Sequence, residues 1–190
     1  MPNLKQTSKL LGLALGISTL GLSLNTPFAQ SASKIDVRLI DKGEGRPKTV
    51  KAVGYINVPI AKVWKALTNY GNYQNFMPRV ASSKLDSRSG NMAQATHKLD
   101  VPWPFSGTWY TNRYVENASN HSIRWSMIKG SIKHNEGSWQ LKPQGKGTYA
   151  TYTVTADVGV PVIPQWMYGE LTKSTVPDIF HGVESHSAKL

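Results

Sequence analysis

Lys48–Asn69 reads KTVKAVGYINVPIAKVWKALTN, and its hydrophobic period changes halfway along. From Lys48 to Val58 apolar and polar residues alternate with period two, the pattern of a strand with one buried face. Pro59 stands where a first helical residue tolerates the loss of its amide hydrogen. Behind it Ile60, Val63, Trp64 and Leu67 fall on one side of a helical projection, which predicts an amphipathic helix over residues 60–69. Gly71 ends it, and Asn72–Met77 supports one short second helix before Pro78.

Outward from that stretch the texture becomes strands punctuated by turn residues. The predicted strands are Val80–Arg88, Met92–Val101, Gly107–Glu116, Ile123–Lys129, Ile132–Leu141 and Thr148–Asp157. Strands at this spacing with no helices between them make an antiparallel sheet. Pro164 opens a last helix with an apolar stripe of Ile163, Trp166, Met167 and Leu171, and Pro177 predicts a kink or restart in it. On the N-terminal side Ile35–Ile40 alternates as a short strand before a Gly-rich loop. The fold class is α+β: a curved antiparallel sheet of about seven strands around a long C-terminal helix, with two short helices after the first strand.

Alternation also sorts the faces of the middle strands. Ile123, Trp125 and Met127 share one face, as do Gly137, Trp139 and Leu141. Ala150, Tyr152, Val154 and Ala156 form another such set, and so do Ala93, Ala95, His97, Leu99 and Val101. Large aromatics mixed with Ala and Gly build either a dense core or an aromatic-walled cavity. Periodicity does not separate the two.

The chain has 190 residues, no Cys, and 22 Lys plus Arg against 11 acidic residues, for a net charge of +11. Lack of Cys excludes disulfides, thiolate metal sites, a cysteine nucleophile and a lipidated bacterial N-terminus. The charge suits an anionic partner such as a membrane surface. Met1–Lys9 is basic, and Leu10–Leu24 is an apolar run of fifteen residues, short of the roughly 20 a spanning helix needs. Pro27 and the small residues Ala29 and Ser31 follow, so residues 1–31 read as a cleaved signal peptide. Export, with no lipobox, places the protein in a periplasm and speaks against nucleic acid. Removal of Lys5 and Lys9 leaves the mature chain at +9. Residues 32–47 form an N-terminal extension carrying the short strand, and residues 48–188 form the domain.

Catalytic motifs are sparse. There is no G-x-S-x-G elbow, no dinucleotide or phosphate-loop fingerprint, and the five His are scattered, so no metal and no cofactor are expected. His97 and Tyr152 are the only inward candidates for acid–base work, and a lone His on an apolar strand is usually a satisfied core residue.

The run Tyr55–Tyr70 resembles the opening of the polyketide cyclase/dehydrase family of the START-like (Bet v 1-like) superfamily, which includes coenzyme-Q-binding proteins. The resemblance continues through Tyr73, Phe76-Met77-Pro78 and Val80, then Val101-Pro102-Trp103-Pro104, Ile123-x-Trp125, Gly130, and Gly137-Ser138-Trp139-x-Leu141-x-Pro143. It ends with Gly147-Thr148 leading into Tyr152, and covers about residues 48–184. It implies a helix-grip fold whose C-terminal helix roofs a cavity for lipids, quinones or polyketides. On that reading the ligand is held by Trp109, Arg113, Trp125, Met127, Trp139, Leu141, Tyr152 and Val154, with Trp166 and Met167 on the lid helix. Relatives often carry an Arg-Asp pair after the Pro-x-Pro turn, where this chain has Ser106-Gly107-Thr108-Trp109, so that pair's role is not transferred. Arg113 either faces inward, needing Glu136, Glu116 or an anionic ligand group, or sits at the rim in water. The expected function is an exported, monomeric carrier of an apolar or amphipathic small molecule. The alternative is a cyclase or dehydratase using His97 and Tyr152.

Overall fold

Eight antiparallel strands form one sheet among the described residues of the computed structural model, which are 35–41, 43, 46–101, 103, 106–157, 159 and 175–190. The chain divides between residues 31 and 32 into two units, the second of which holds every described residue. The expected signal peptide therefore lies outside the described residues. So does the stretch 160–174, with Trp166, Met167 and Leu171 of the expected lid helix.

Strand β1 (Asp36–Ile40) pairs with β2 (Thr49–Ile56), so the N-terminal extension adds an eighth strand to the expected seven. The chain then passes through helix α1 (Ile60–Leu67) and a 3-10 segment (Tyr70–Asn75) to the opposite edge of the sheet. From there it returns as a meander: β3 (Val80–Ser89), β4 (Met92–Leu99), β5 (Trp109–Asn117), β6 (Ser122–Gly130), β7 (His134–Gln144) and β8 (Gly147–Asp157). Strand β8 closes against β2, giving the order β1-β2-β8-β7-β6-β5-β4-β3. Two connections are two-residue hairpin loops, and each needs a residue in the left-handed region. Gly90 (φ +56°) and Gly145 (φ +58°) supply it. Register shifts in β3 against β4, between Val80 and Ser82 and between Leu85 and Ser87, bend that edge.

The turn 118–121 between β5 and β6 is polar. Asn117 Oδ1 accepts from the Ser119 hydroxyl and the Asn120 amide. Helix α1 buries Val63, Ala66 and Leu67 and ends at Leu67, two residues short of expectation. The short second helix begins earlier than expected, at Tyr70, and is of the 3-10 kind. Its geometry repeats every three residues, which puts Tyr70 and Tyr73 on one buried face. The Tyr73 hydroxyl donates to the Leu67 carbonyl at 2.6 Å, tying the two segments together.

Helix α2 (Val176–Ser187) carries Pro177 in its first turn, where the missing amide hydrogen costs no helical bond, and the expected helix before it lies outside the described residues. Val176, Phe180, Val183 and Ser187 recur at helical spacing and are buried against α1 and β2. At Gly182 a Cβ would stand 2.0 Å from the Phe76 carbonyl oxygen, so only glycine lets α2 approach the 3-10 segment this closely. Beside it the His186 ring stacks on Phe76 at 4.4 Å. Among the described residues no helix is long and apolar enough to cross a membrane.

Candidate functional site

Helix α2 packs on one face of the sheet, against β2 and Trp139 of β7, and the inward side chains of β4–β8 on that face divide into two zones. Trp139, Leu141, Ile123 and Ala150 are packed solid. Phe180 stands edge-on to the Trp139 ring at 5.3 Å. Toward the other end of the same strands Tyr110, Trp125, Met127, Tyr152, Val154 and Ala156 all point inward, yet each is only half-buried. Aromatic contact links the zones: Tyr152 lies 4.7 Å from Trp139 and 5.9 Å from Trp125.

Trp125 is positioned by the residue opposite it. Its register partner on β7 is Gly137, and a Cβ there would come within 2.3 Å of both the indole and the Thr153 carbonyl oxygen. The indole therefore lies flat over a glycine, with Nε1 donating to Asn135 Oδ1 at 3.1 Å. Gly137→Ala should lift the ring, cost about 1–3 kcal/mol and shift the tryptophan emission. Urea titration followed by fluorescence checks this, and an unchanged spectrum would refute the packing.

A chain of polar side chains crosses the inner face. Ser83 Oγ lies 2.6 Å from the Tyr70 carbonyl oxygen and 2.5 Å from His97 Nδ1. Tyr114 Oη lies 2.8 Å from His97 Nε2 and 3.4 Å from Asn112 Nδ2. Proton counting orients every member. The Ser83 hydroxyl gives its single hydrogen to the carbonyl, so it accepts from His97 Nδ1–H. Nε2 then carries the lone pair and accepts from the Tyr114 hydroxyl. The phenolic oxygen in turn accepts from the Asn112 amide, and Asn112 Oδ1 is left buried with no partner.

Burial holds His97 at a pKa of about 4, with Asp86 opposing weakly, so the ring is neutral. Burial likewise raises the Tyr110 phenol to about 12, against a hydrogen bond from Asn135, and raises Tyr114 and Tyr152 well above the ordinary value. Of the inward positions on β4–β8 only Glu116 is charged at neutral pH, and Arg88 takes it at 2.9 Å. Among the described residues no group of His, Asp or Glu is placed to hold a metal.

The expected ligand residues separate accordingly. Trp125, Met127, Tyr152 and Val154 meet in the half-buried zone. Trp139 and Leu141 belong to the packed core instead, both buried, with Phe180 of α2 edge-on to Trp139. Arg113 is exposed, as in the rim alternative, and half-buried Trp109 shares its parity and pairs with exposed Lys98, so neither is an inward ligand residue, and that expectation is corrected for both. The inward positions of β5 are Tyr110, Asn112, Tyr114 and Glu116, of which the sequence reading named only Glu116, as a partner for Arg113. The two faces of that strand are equally mixed, so alternation found the strand without orienting it. His97 faces inward as expected, but both ring nitrogens are engaged by the protein. Trp166 and Met167 lie outside the described residues.

Residues 56–183 match the profile of the family described as polyketide cyclase / dehydrase and lipid transport. The chain belongs to that family. A STAR-related lipid transfer protein from Xanthomonas axonopodis superposes on this polyketide cyclase/dehydrase-family chain with a TM-score of 0.70. That likeness is at 24% identity and covers 84% of this chain and 97% of that one. Human StAR-related lipid transfer protein 5 gives 0.68 at 10% identity, covering 84% and 88%. The Zhui aromatase/cyclase from a Streptomyces species gives 0.64 at 13%, covering 81% and 95%. In sequence, an uncharacterized protein of Pseudomonas aeruginosa is 22% identical across the full length of both chains. The fold of this family member is thus the START-like helix grip.

Proposed function

We propose that the protein is an exported, monomeric carrier that binds one hydrophobic or amphipathic small molecule, such as a lipid, quinone or polyketide-like compound, in the half-buried zone. One observation carries this reading. Tyr110, Trp125, Met127, Tyr152 and Val154 turn inward from β5, β6 and β8 yet keep accessible surface, unlike the fully buried Trp139 and Leu141 beside them. An apolar, aromatic-walled set of side chains left part-open in this way is what a small hydrophobic molecule would cover. The family's description and the lipid transfer relatives support the same class of cargo. The second reading, a cyclase or dehydratase, requires an acid or base that touches substrate. Ser83 and Tyr114 already occupy both nitrogens of His97, which favours the carrier.

Export rests on the basic, apolar and small-residue segments of residues 1–31. Contact with an anionic membrane surface is supported by the net positive charge and by Trp103, 84% exposed between β4 and β5. Tryptophan is the residue most at home at the headgroup level. The test is native mass spectrometry of protein gently purified from its own host. A discrete mass increment that organic solvent releases is expected, on a chain beginning at Ala32. A bare polypeptide mass, together with no uptake of Nile red, would overturn the carrier reading.

A further inference from the structure

We propose that Asn112 Oδ1 is the polar anchor of this site, and that the ligand it selects is a neutral molecule carrying a hydroxyl or similar donor. The proposal rests on the ligand-binding reading above and narrows it.

The residue is 2% exposed on the inner face of β5, and its carboxamide oxygen has no hydrogen-bond partner. The amide is not free to turn over. Reversal would set Oδ1 against the Tyr114 oxygen, whose only hydrogen already goes to His97 Nε2. The fixed chain from Tyr70 through Ser83, His97 and Tyr114 therefore ends in one unspent acceptor. Burying such an acceptor is costly, and a donor brought to it is worth far more than one offered at the surface.

The chemistry of the complement follows. A ketone, ester or ether oxygen at this point would oppose acceptor to acceptor. A carboxylate would do the same, and among the described residues it finds no cation on the inner face, since Arg113 is turned outward and Arg88 is paired with Glu116. An alcohol, phenol or hydroquinone supplies the missing hydrogen. Met127 is the register partner of Asn112 across β5 and β6 and is half-buried. Its unbranched, rotatable side chain is suited to yield and admit the donor.

The test is calorimetric titration of the whole mature protein with 2-naphthol, 2-methoxynaphthalene and 2-naphthoate. Wild type is expected to bind the naphthol about tenfold tighter than the methyl ether, and the naphthoate more weakly than either. In Asn112→Val that preference should fall to near unity while affinity for the methyl ether is kept. Without ligand, the variant should melt no lower than wild type, because removing the unpaired buried acceptor offsets losing the long 3.4 Å hydrogen bond from Nδ2 to Tyr114. Asn112→Ala repeats the measurement with a smaller side chain.

Equal binding of naphthol and ether by wild type, or a preference that survives in Asn112→Val, overturns the anchor and leaves the carrier reading standing. Failure of both variants to fold also overturns it, since Asn112 would then be holding the strand. No binding of any of the three by wild type strikes the carrier reading itself.

Discussion

Phe180→Ala is expected to remove about 3–5 kcal/mol of stability and to lower the thermal midpoint by roughly 10 °C. Phe180 is 1% exposed and is where α2 meets the sheet. Its ring stands edge-on to Trp139 of β7 and touches Gly54 of β2, where even an added Cβ would lie 3.0 Å from it. One side chain therefore joins the C-terminal helix to two neighbouring parts of the core. Truncation leaves a cavity bounded by two strands and a helix, none of which can collapse without breaking its own pairing. Urea denaturation of the two proteins side by side is the measurement. A loss below about 1 kcal/mol would mean that α2 is held chiefly by its contacts with α1.

The second large effect is a pH dependence centred on His97. Its folded pKa of about 4 lies below the unfolded value near 6.5, because burial penalises the charged ring. Between those values the unfolded chain binds a proton that the folded protein refuses. Stability is therefore full above about pH 6.5 and falls as pH drops toward 4, by ~3 kcal/mol in total. Below 4 both states are protonated and this contribution changes no further. His186, also shifted downward by burial, adds in the same direction. His97→Gln keeps a donor and an acceptor on the side chain while removing the titration. Urea midpoints at pH 7, 5.5 and 4 should show a shallower slope for the variant than for wild type. Identical slopes would show that His97 is not the group responsible.

Strand positions were legible in the sequence because turn residues bracket each one and because Gly90 and Gly145 stand where two-residue hairpins require them. Helix α1 was equally plain, with Pro59 before it and an apolar stripe along it. The 3-10 segment was harder, since Tyr70 and Tyr73 at a spacing of three fit a helix of either kind and the tighter one wins by burying both. Within the site, alternation placed Trp125, Tyr152 and His97 inward correctly. It gave no means of telling Trp125 from Trp139, two indoles on neighbouring strands with the same parity. What distinguishes them is the seat of Phe180, a contact made across 41 residues of chain from Trp139. Strand β5 is legible but not its orientation: both faces mix aromatic and polar residues, which leaves Arg113 inward or at the rim until the Tyr110-x-Asn112-x-Tyr114 face is seen to look inward. Asn112 carried no signal of its own. Its importance emerges only when the hydrogens of four distant side chains are counted together.

The two register shifts in β3 have a meaning beyond the site. An open sheet ends in a strand with one side of its backbone unpaired, and a straight, apolar strand there invites a second molecule to pair with it. Strand β3 carries the charged side chains of Lys84, Asp86 and Arg88, and its ladder is interrupted twice within ten residues. An incoming chain would find no regular row of amides and carbonyls to copy, so this margin of the sheet resists aggregation.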